Sequence, residues 1–240
     1  MKNQNTRRLV ESALMIAIGT VLSELKIGSL WAFGGGLTIG SMVPLVLISH
    51  RWGIKWGTFT AFVYSLLQLI LGVDNVQYAT SVGMAIAIIL LDYVIAYTVI
   101  GLSAMFGSSR PAIIGGVVVT LGLRFLCHFL TGWMIWDALW PNEFGMAPAV
   151  YSVCYNGSYM LPNTIIALVI AAVLYKPLKK YILGQDLEAA ERVAAENRPG
   201  VHVHLYGKTE SRPKRKMGHI TFVGMDAGEY GAAWADRFVK

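Results

Sequence analysis

The stretch LLDYVIAY, Leu90–Tyr97, sets an aspartate between apolar residues and tyrosines, inside an apolar run that extends over residues 80–106. A membrane-spanning helix needs about 20 mostly apolar residues, so this run is long enough to cross a bilayer. An ionisable group near mid-membrane costs about 2.5–3.5 kcal/mol on insertion scales. The run decides the fold class, a helical membrane protein, and Asp92 becomes the residue that needs a reason.

Composition points the same way. Hydrophobic residues make up 55% of the chain and charged residues 14%, against about a quarter charged in an ordinary soluble domain. The charges are uneven: residues 184–240 hold nine of the 20 Lys/Arg and eight of the 14 Asp/Glu. The chain therefore reads as a membrane domain, residues 1–183, followed by a polar tail, residues 184–240. Most of the net charge of +6 falls in the membrane domain, where it reads as membrane orientation and not as a nucleic-acid surface. Residues 1–8 are polar and the following run opens with Glu11, which predicts that no signal peptide is cleaved.

Six apolar segments follow from hydropathy: residues 8–25, 38–50, 54–72, 80–106, 112–136 and 150–175. The second is short for a full span. With both termini in the cytoplasm, the inner side carries Lys2, Arg7, Arg8, Arg51, Lys55, Arg110, Lys176, Lys179 and Lys180, while the outer loops carry Lys26. That asymmetry satisfies the positive-inside rule, and a count of five or seven spans destroys it. The expected fold is all-α, with six transmembrane helices. In the tail, GQDLEAAERVAAE reads as a short helix, and VHVHLYG and HITFVG alternate like the strands of a hairpin around the basic turn KTESRPKRK. Cys127 and Cys154 both lie in apolar segments and read as small core residues.

Arg124 is the second ionisable group near the middle of a span. Two readings of Asp92 follow. It forms an ion pair with Arg124 that ties two helices together, or it recognises a ligand, with Arg124 as its countercharge. His128 lies four residues after Arg124 on the same helical face, and Trp136 follows two turns later. The sixth segment opens with YSVCYNGSYMLPN, which brings Tyr151, Tyr155, Asn156, Tyr159 and Asn163 into the outer half of the membrane. Aromatic faces with one carboxylate, one imidazole and one carboxamide suit a flat, heteroaromatic, positively charged ligand. Trp140, taken alone, reads as an interfacial-belt residue. The glycine-rich WAFGGGLTIG of the first outer loop does not fit a regular helix.

LDYVIAY, RFLCHFLTGWMIW and AVYSVCYNG, in this order, resemble the thiamine-specific substrate-binding (S) components of energy-coupling factor (ECF) transporters, the ThiT or YuaJ group. The resemblance covers residues 8–180. It implies a six-helix protein of the prokaryotic plasma membrane that binds thiamine, without cofactor or metal, and that is energised by a separate coupling module of one transmembrane protein and two ATPase subunits. By motif it assigns thiamine contacts to Asp92, Tyr93, His128, Trp136, Tyr151 and Asn156. Trp31 matches the aromatic residue of a loop that acts as a lid, and Tyr78 resembles a tyrosine before the fourth helix, at a longer spacing. The acidic residue is typically glutamate in that group, so Asp92 is one methylene shorter. Ala13 and Ala17 match an AxxxA pattern that docks S components on the coupling protein, and small residues at that spacing allow close helix approach.

The tail, VHVHLYGKTESRPKRKMGHITFVG, resembles the C-terminal end of the ATP-grasp carboxyaminoimidazole ribonucleotide synthases. The resemblance implies phosphate contacts for Lys208 and Arg215, but the ATP-binding body is absent, so an inert appendage is expected. No GxxxxGK[ST], HExxH or GxSxG sequence occurs, which argues against an ATPase or a common hydrolase. An S component for another vitamin, such as riboflavin, and a solitary proton-coupled transporter using Asp92 and His128 remain the rival readings.

Overall fold

Serine, proline and glycine set the helix boundaries. In a computed structural model, residues 2–27, 35–187, 201–205 and 218–223 are described. Trp31, most of the expected tail helix, the basic turn with Lys208 and Arg215, and the closing residues 224–240 lie outside them. We number the elements α1 (Lys2–Glu24), β1 (Lys26–Ile27), β2 (Leu37–Thr38), α2 (Val43–Trp52), α3 (Ile54–Leu71), α4 (Val82–Phe106), α5 (Arg110–Leu139) and α6 (Pro148–Ile182). The Ser81 side chain caps α4 by accepting from the Met84 amide, and Ser109 caps α5 by accepting from Ala112. Pro44, Pro111 and Pro148 occupy first-turn positions, where a missing amide costs nothing.

α3, α4, α5 and α6 are each long and apolar enough to cross a membrane. α1 and α2 depart from that pattern for different reasons. α1 turns its polar residues inward. Trp56 Nε1 donates to Ser12 Oγ at 2.8 Å, Gln68 Nε2 donates to Ser23 Oγ at 3.1 Å, and the Tyr64 hydroxyl donates to the Gly19 carbonyl at 3.3 Å. These rungs zip α1 to α3, while Leu9, Leu14, Ile18 and Val21 face outward. Ala13 and Ala17 are exposed on that outward side. α2 is 10 residues long, about 15 Å of helix, and residues 43–51 are all buried. It is an internal helix surrounded by its neighbours, which is why residues 43–48 are apolar on every face.

At the end of the bundle where α1 begins, Glu11 gathers four donors from three helices. It accepts from Arg7 Nε at 2.8 Å, from buried Arg51 Nε at 3.2 Å, from Trp52 Nε1 at 3.0 Å and from the Tyr181 hydroxyl at 3.1 Å. The Arg51 guanidinium lies over the Tyr181 ring at 4.2 Å, and Arg8 lies 5.1 Å from both Trp52 and Trp56. A buried arginine is tolerable here because its charge, donors and planar face all have partners.

Residues 1–183 and 184–240 form separate compact units. In the second, β3 (Val201–Leu205) and β4 (Gly218–Phe222) pair antiparallel with Val201 opposite Phe222 and Leu205 opposite Gly218. Both cysteines carry free thiols. Cys127 is buried, but Cys154 is exposed on α6, which corrects its reading as a core residue.

Candidate functional site

Two helices lose their regular winding at the same place. α4 becomes a π-helix over Ile89–Ile95, the segment that carries Asp92 and Tyr93. α5 does so over Gly132–Trp136. Such turns are rare and concentrate at functional sites. Their effect here is geometric. In a regular α-helix five residues turn through about 500°, which would leave Trp136 about 140° from Thr131. The wider turn returns Trp136 to the face that holds His128 and Thr131.

That face meets Asp92. The Asp92 side chain is buried, and its Oδ1 accepts a short hydrogen bond from the Thr131 hydroxyl and contacts His128 Nδ1 at 3.0 Å. Oδ2 accepts from Trp136 Nε1 at 2.9 Å. A carboxylate offers about four lone-pair positions. Three are occupied, and the remaining one, on Oδ2, is available to a ligand. The neighbouring Tyr93 turns the other way: its hydroxyl donates to the Gly72 carbonyl at 2.7 Å and accepts from Asn75 Nδ2 at 2.8 Å.

α6 closes the other side. Asn156 Nδ2 donates to the His128 carbonyl at 3.2 Å, and Asn156 Oδ1 accepts from the Tyr159 hydroxyl at 2.9 Å. The close approach of α5 and α6 depends on Gly132, where a Cβ would collide with the Ser152 hydroxyl. Ser152 Oγ donates to the Phe129 carbonyl at 2.8 Å and fixes the same contact.

These residues enclose a cavity of about 330 Å³, within the range of small-molecule sites. Asp92, Tyr93, His128, Trp136, Tyr151 and Asn156 all line it. Tyr78 does not: it is about half exposed and packs edge-on against Trp140, with ring centroids 4.8 Å apart. Trp140 itself lines the cavity and stacks on Trp136 at 5.7 Å and 16°. Its expected role as a belt residue is thus corrected to one of cavity wall. Tyr151 stacks on Phe144 at 6.1 Å and leans on Tyr155 at 5.8 Å, adding a second aromatic wall.

The expected contact between Asp92 and Arg124 is absent. Arg124 Nη2 donates to the Tyr97 hydroxyl at 3.3 Å, and its guanidinium lies 4.8 Å from the Tyr97 ring centroid. Its Nε is buried without a hydrogen-bond partner, and so is His128 Nε2. The physical reason is the register of α5. Arg124 lies one turn away from His128, so it faces Tyr97 on α4 while His128 and Thr131 take the carboxylate. Sequence reasoning missed Thr131, although it lies three residues after His128 on the same helical face. Among the described residues, no cluster of His, Cys, Asp and Glu has the composition of a metal site.

Residues 9–183 match the family model described as thiamine transporter protein (Thia_YuaJ). The thiamine transporter ThiT of Bacillus subtilis is 30% identical over 181 residues, covering 70% of this chain and 90% of the relative. A solved structure of ThiT from Listeria monocytogenes superposes with a TM-score of 0.61 at 20% identity, covering 75% of this chain and 98% of that one, and supports the fold. The tail matches a second model, the phosphoribosylaminoimidazole carboxylase C-terminal domain, over residues 182–233. There the N5-carboxyaminoimidazole ribonucleotide synthase of Staphylococcus haemolyticus is 44% identical over 57 residues, which is 15% of that enzyme. The match over 9–183 spans the whole cavity, and its four membrane-capable helices suit a multi-pass cell-membrane protein. The chain belongs to the thiamine transporter family.

Proposed function

We propose that the protein is the thiamine-binding S component of an ECF-type importer, with the cavity on α4, α5 and α6 as the thiamine site. The observation that carries this reading is the Asp92 carboxylate, which presents an open acceptor position to a cavity walled by Trp136, Trp140 and Tyr151. Aromatic faces attract a cationic ring by about 0.5–2 kcal/mol each. A carboxylate inside an apolar domain is costly unless it recognises something. Thiamine offers both a fixed positive charge and a ring amine.

In this reading all six helices cross or enter the membrane, both termini are cytoplasmic, and the cavity opens to the outside. Trp31, Tyr93, His128, Tyr151 and Asn156 complete the ligand shell, and Tyr78 backs it from outside through its contact with Trp140. Ala13 and Ala17, exposed on α1, form the docking face for the transmembrane coupling protein, whose two ATPase subunits supply the energy. The tail plays no part in ligand binding.

Isothermal titration of purified protein against thiamine, riboflavin and other vitamins tests the ligand. Saturable thiamine binding with no response to the others is expected, and selective binding of another vitamin overturns the assignment. Co-purification with a coupling module tests the energisation. The Asp92–His128 contact at 3.0 Å favours one second reading, a solitary proton-coupled carrier. Uptake by the protein alone in vesicles, collapsed by a protonophore, would select it.

A further inference from the structure

Part of the cavity wall belongs to no helix. Gly35, Gly36 and Thr38 line the cavity from an extended segment, and a two-residue strand pairing holds the base of that segment, with Lys26 opposite Thr38 and Ile27 opposite Leu37. Two strand residues are too few to fix a wall. The missing support comes from α6.

Asn163 reads the segment's backbone from both sides. Its Oδ1 accepts from the Thr38 amide at 2.8 Å, and its Nδ2 donates to the Gly36 carbonyl at 2.8 Å. One carboxamide thus satisfies a donor and an acceptor two residues apart, as a neighbouring strand would. The Thr38 hydroxyl then shares a hydrogen bond with Ser41 at 2.8 Å. One residue earlier, Gly35 has φ +85°, and a Cβ there would come within 2.7 Å of the Tyr159 ring. Both geometry and space require glycine. Tyr159 in turn donates to Asn156, whose own amide holds the His128 carbonyl. The wall is therefore fastened to the same helix that braces the Asp92 cluster.

We propose that Asn163 is a positioning residue for the ligand: it docks residues 35–38 against α6, and this dock sets the rate at which bound ligand escapes. The inference rests on the thiamine reading only for the choice of ligand in the assay. Removing the carboxamide takes away both of these hydrogen bonds and loosens the wall, while the Asp92 cluster keeps its own.

The test compares wild type with Asn163→Leu, which keeps the bulk without the carboxamide, and Asn163→Gln, which keeps both functions on a longer arm. Stopped-flow tryptophan fluorescence gives thiamine association and dissociation rates, and thermal melts are run beside it. Asn163→Leu is expected to speed dissociation by about tenfold, the equivalent of one to two hydrogen bonds, with association within about threefold. Asn163→Gln should recover part of the loss. A second arm needs no ligand. In a Cys127→Ala, Cys154→Ala background, Leu37→Cys should react with a maleimide several-fold faster when Asn163→Leu is added. Wild-type dissociation and labelling rates in Asn163→Leu overturn the proposal. So do equal losses in the Leu and Gln variants that track their melting temperatures, since these indicate general destabilisation. If wild type shows no thiamine binding but the labelling contrast persists, the ligand assignment falls and the dock stands.

Discussion

Asp92→Asn separates recognition from packing at the centre of the site. The substitution keeps the shape and removes the charge. Its structural cost follows from the partners. Trp136 Nε1 can only donate, so the new carbonyl must face it at the Oδ2 position, 2.9 Å away. The new NH₂ then faces His128 and Thr131 at the Oδ1 position. Both neighbours can adapt. A neutral imidazole with its proton on Nε2 presents an acceptor at Nδ1, and the Thr131 hydroxyl has an alternative acceptor in the His128 carbonyl at 3.1 Å. The variant is therefore expected to lose no more than about one hydrogen bond, ~1 kcal/mol of stability. Ligand binding fares worse, because a charge-assisted contact to a cation becomes a contact to a dipole. That loss is about 1.5–3 kcal/mol, or roughly ten- to a hundredfold in thiamine affinity.

Titration calorimetry beside thermal melts reads both quantities. A neutral isostere of thiamine, lacking the ring charge, should bind wild type and Asp92→Asn with similar affinity, so the coupling between residue and charge is isolated as in a double-mutant cycle. Adding Arg124→Gln should change the result additively, because Arg124 makes its contacts to Tyr97 and not to Asp92. The reasoning is refuted if Asp92→Asn binds thiamine as wild type does. It is equally refuted if Arg124→Gln restores both stability and affinity, which would mean that the two residues act as a pair.

Thiamine should quench tryptophan emission through Trp136 and Trp140, which line the cavity; unchanged emission at a saturation proved by calorimetry would remove them from the ligand's surroundings. Deleting residues 190–240 should leave thiamine affinity within about threefold of wild type, since every cavity residue falls in the first compact unit, and a larger loss in a well-folded truncation would give the tail a role. Ala13→Trp with Ala17→Trp should abolish uptake by the reconstituted importer while calorimetric binding persists, because both residues face away from the cavity; co-purification of that variant with an intact coupling module would count against the docking face. Gly132→Val should lower both the melting temperature and the affinity, because its side chain must displace Ser152 and Asn156. A variant with wild-type binding would show that the α5–α6 approach is not needed.

The composition exposed the helical class because lipid leaves few alternatives: backbone groups in the hydrocarbon region must be satisfied within a helix or a closed barrel. Segment positions followed from hydropathy to within a few residues for α3, α4 and α5. Hydropathy failed to distinguish α1 from α2 in kind. It records how apolar a segment is and not what surrounds it. A helix buried in the bundle, as α2 is, and one turned toward lipid look alike. α1 hides the reverse arrangement, with Ser12 and Ser23 inside and leucines outside. The cavity-lining Asp92, Tyr93, His128, Trp136, Tyr151 and Asn156 were legible as residue types at intervals, through the resemblance to a known family, whereas Tyr78, named by the same resemblance, lies outside the cavity wall. Their partnerships were not. Asp92 and Arg124 looked like a pair because they were the two charges near the middle of apolar runs, and charge alone carries no register.

The register lies in the winding. An α-helical reading places His128 and Thr131 together but sends Trp136 to another face, and it gives no reason for Asp92 to meet all three. The π-turns at Ile89–Ile95 and Gly132–Trp136 supply that reason. They also predict something that sequence comparison alone would not. Each turn holds one residue more than a regular helix needs, so the site can be misaligned without touching any ligand contact. Inserting an alanine after Met134, which is 65% exposed and makes no contribution to the cavity wall, leaves Trp136 six residues beyond Thr131. Six residues turn through about 600° in a regular helix, which puts the indole about 120° off the Thr131 face, and it would lose Asp92. Thiamine affinity should fall by roughly as much as in Trp136→Phe, while Met134→Ala, which keeps the residue count, binds normally. Deleting Met134 instead leaves four residues, about 400°, so α5 can relax to a regular helix with Trp136 within about 40° of Thr131, and affinity should largely survive. If the insertion binds thiamine as well as Met134→Ala does, the winding is incidental and the alignment of Asp92 with α5 has another cause.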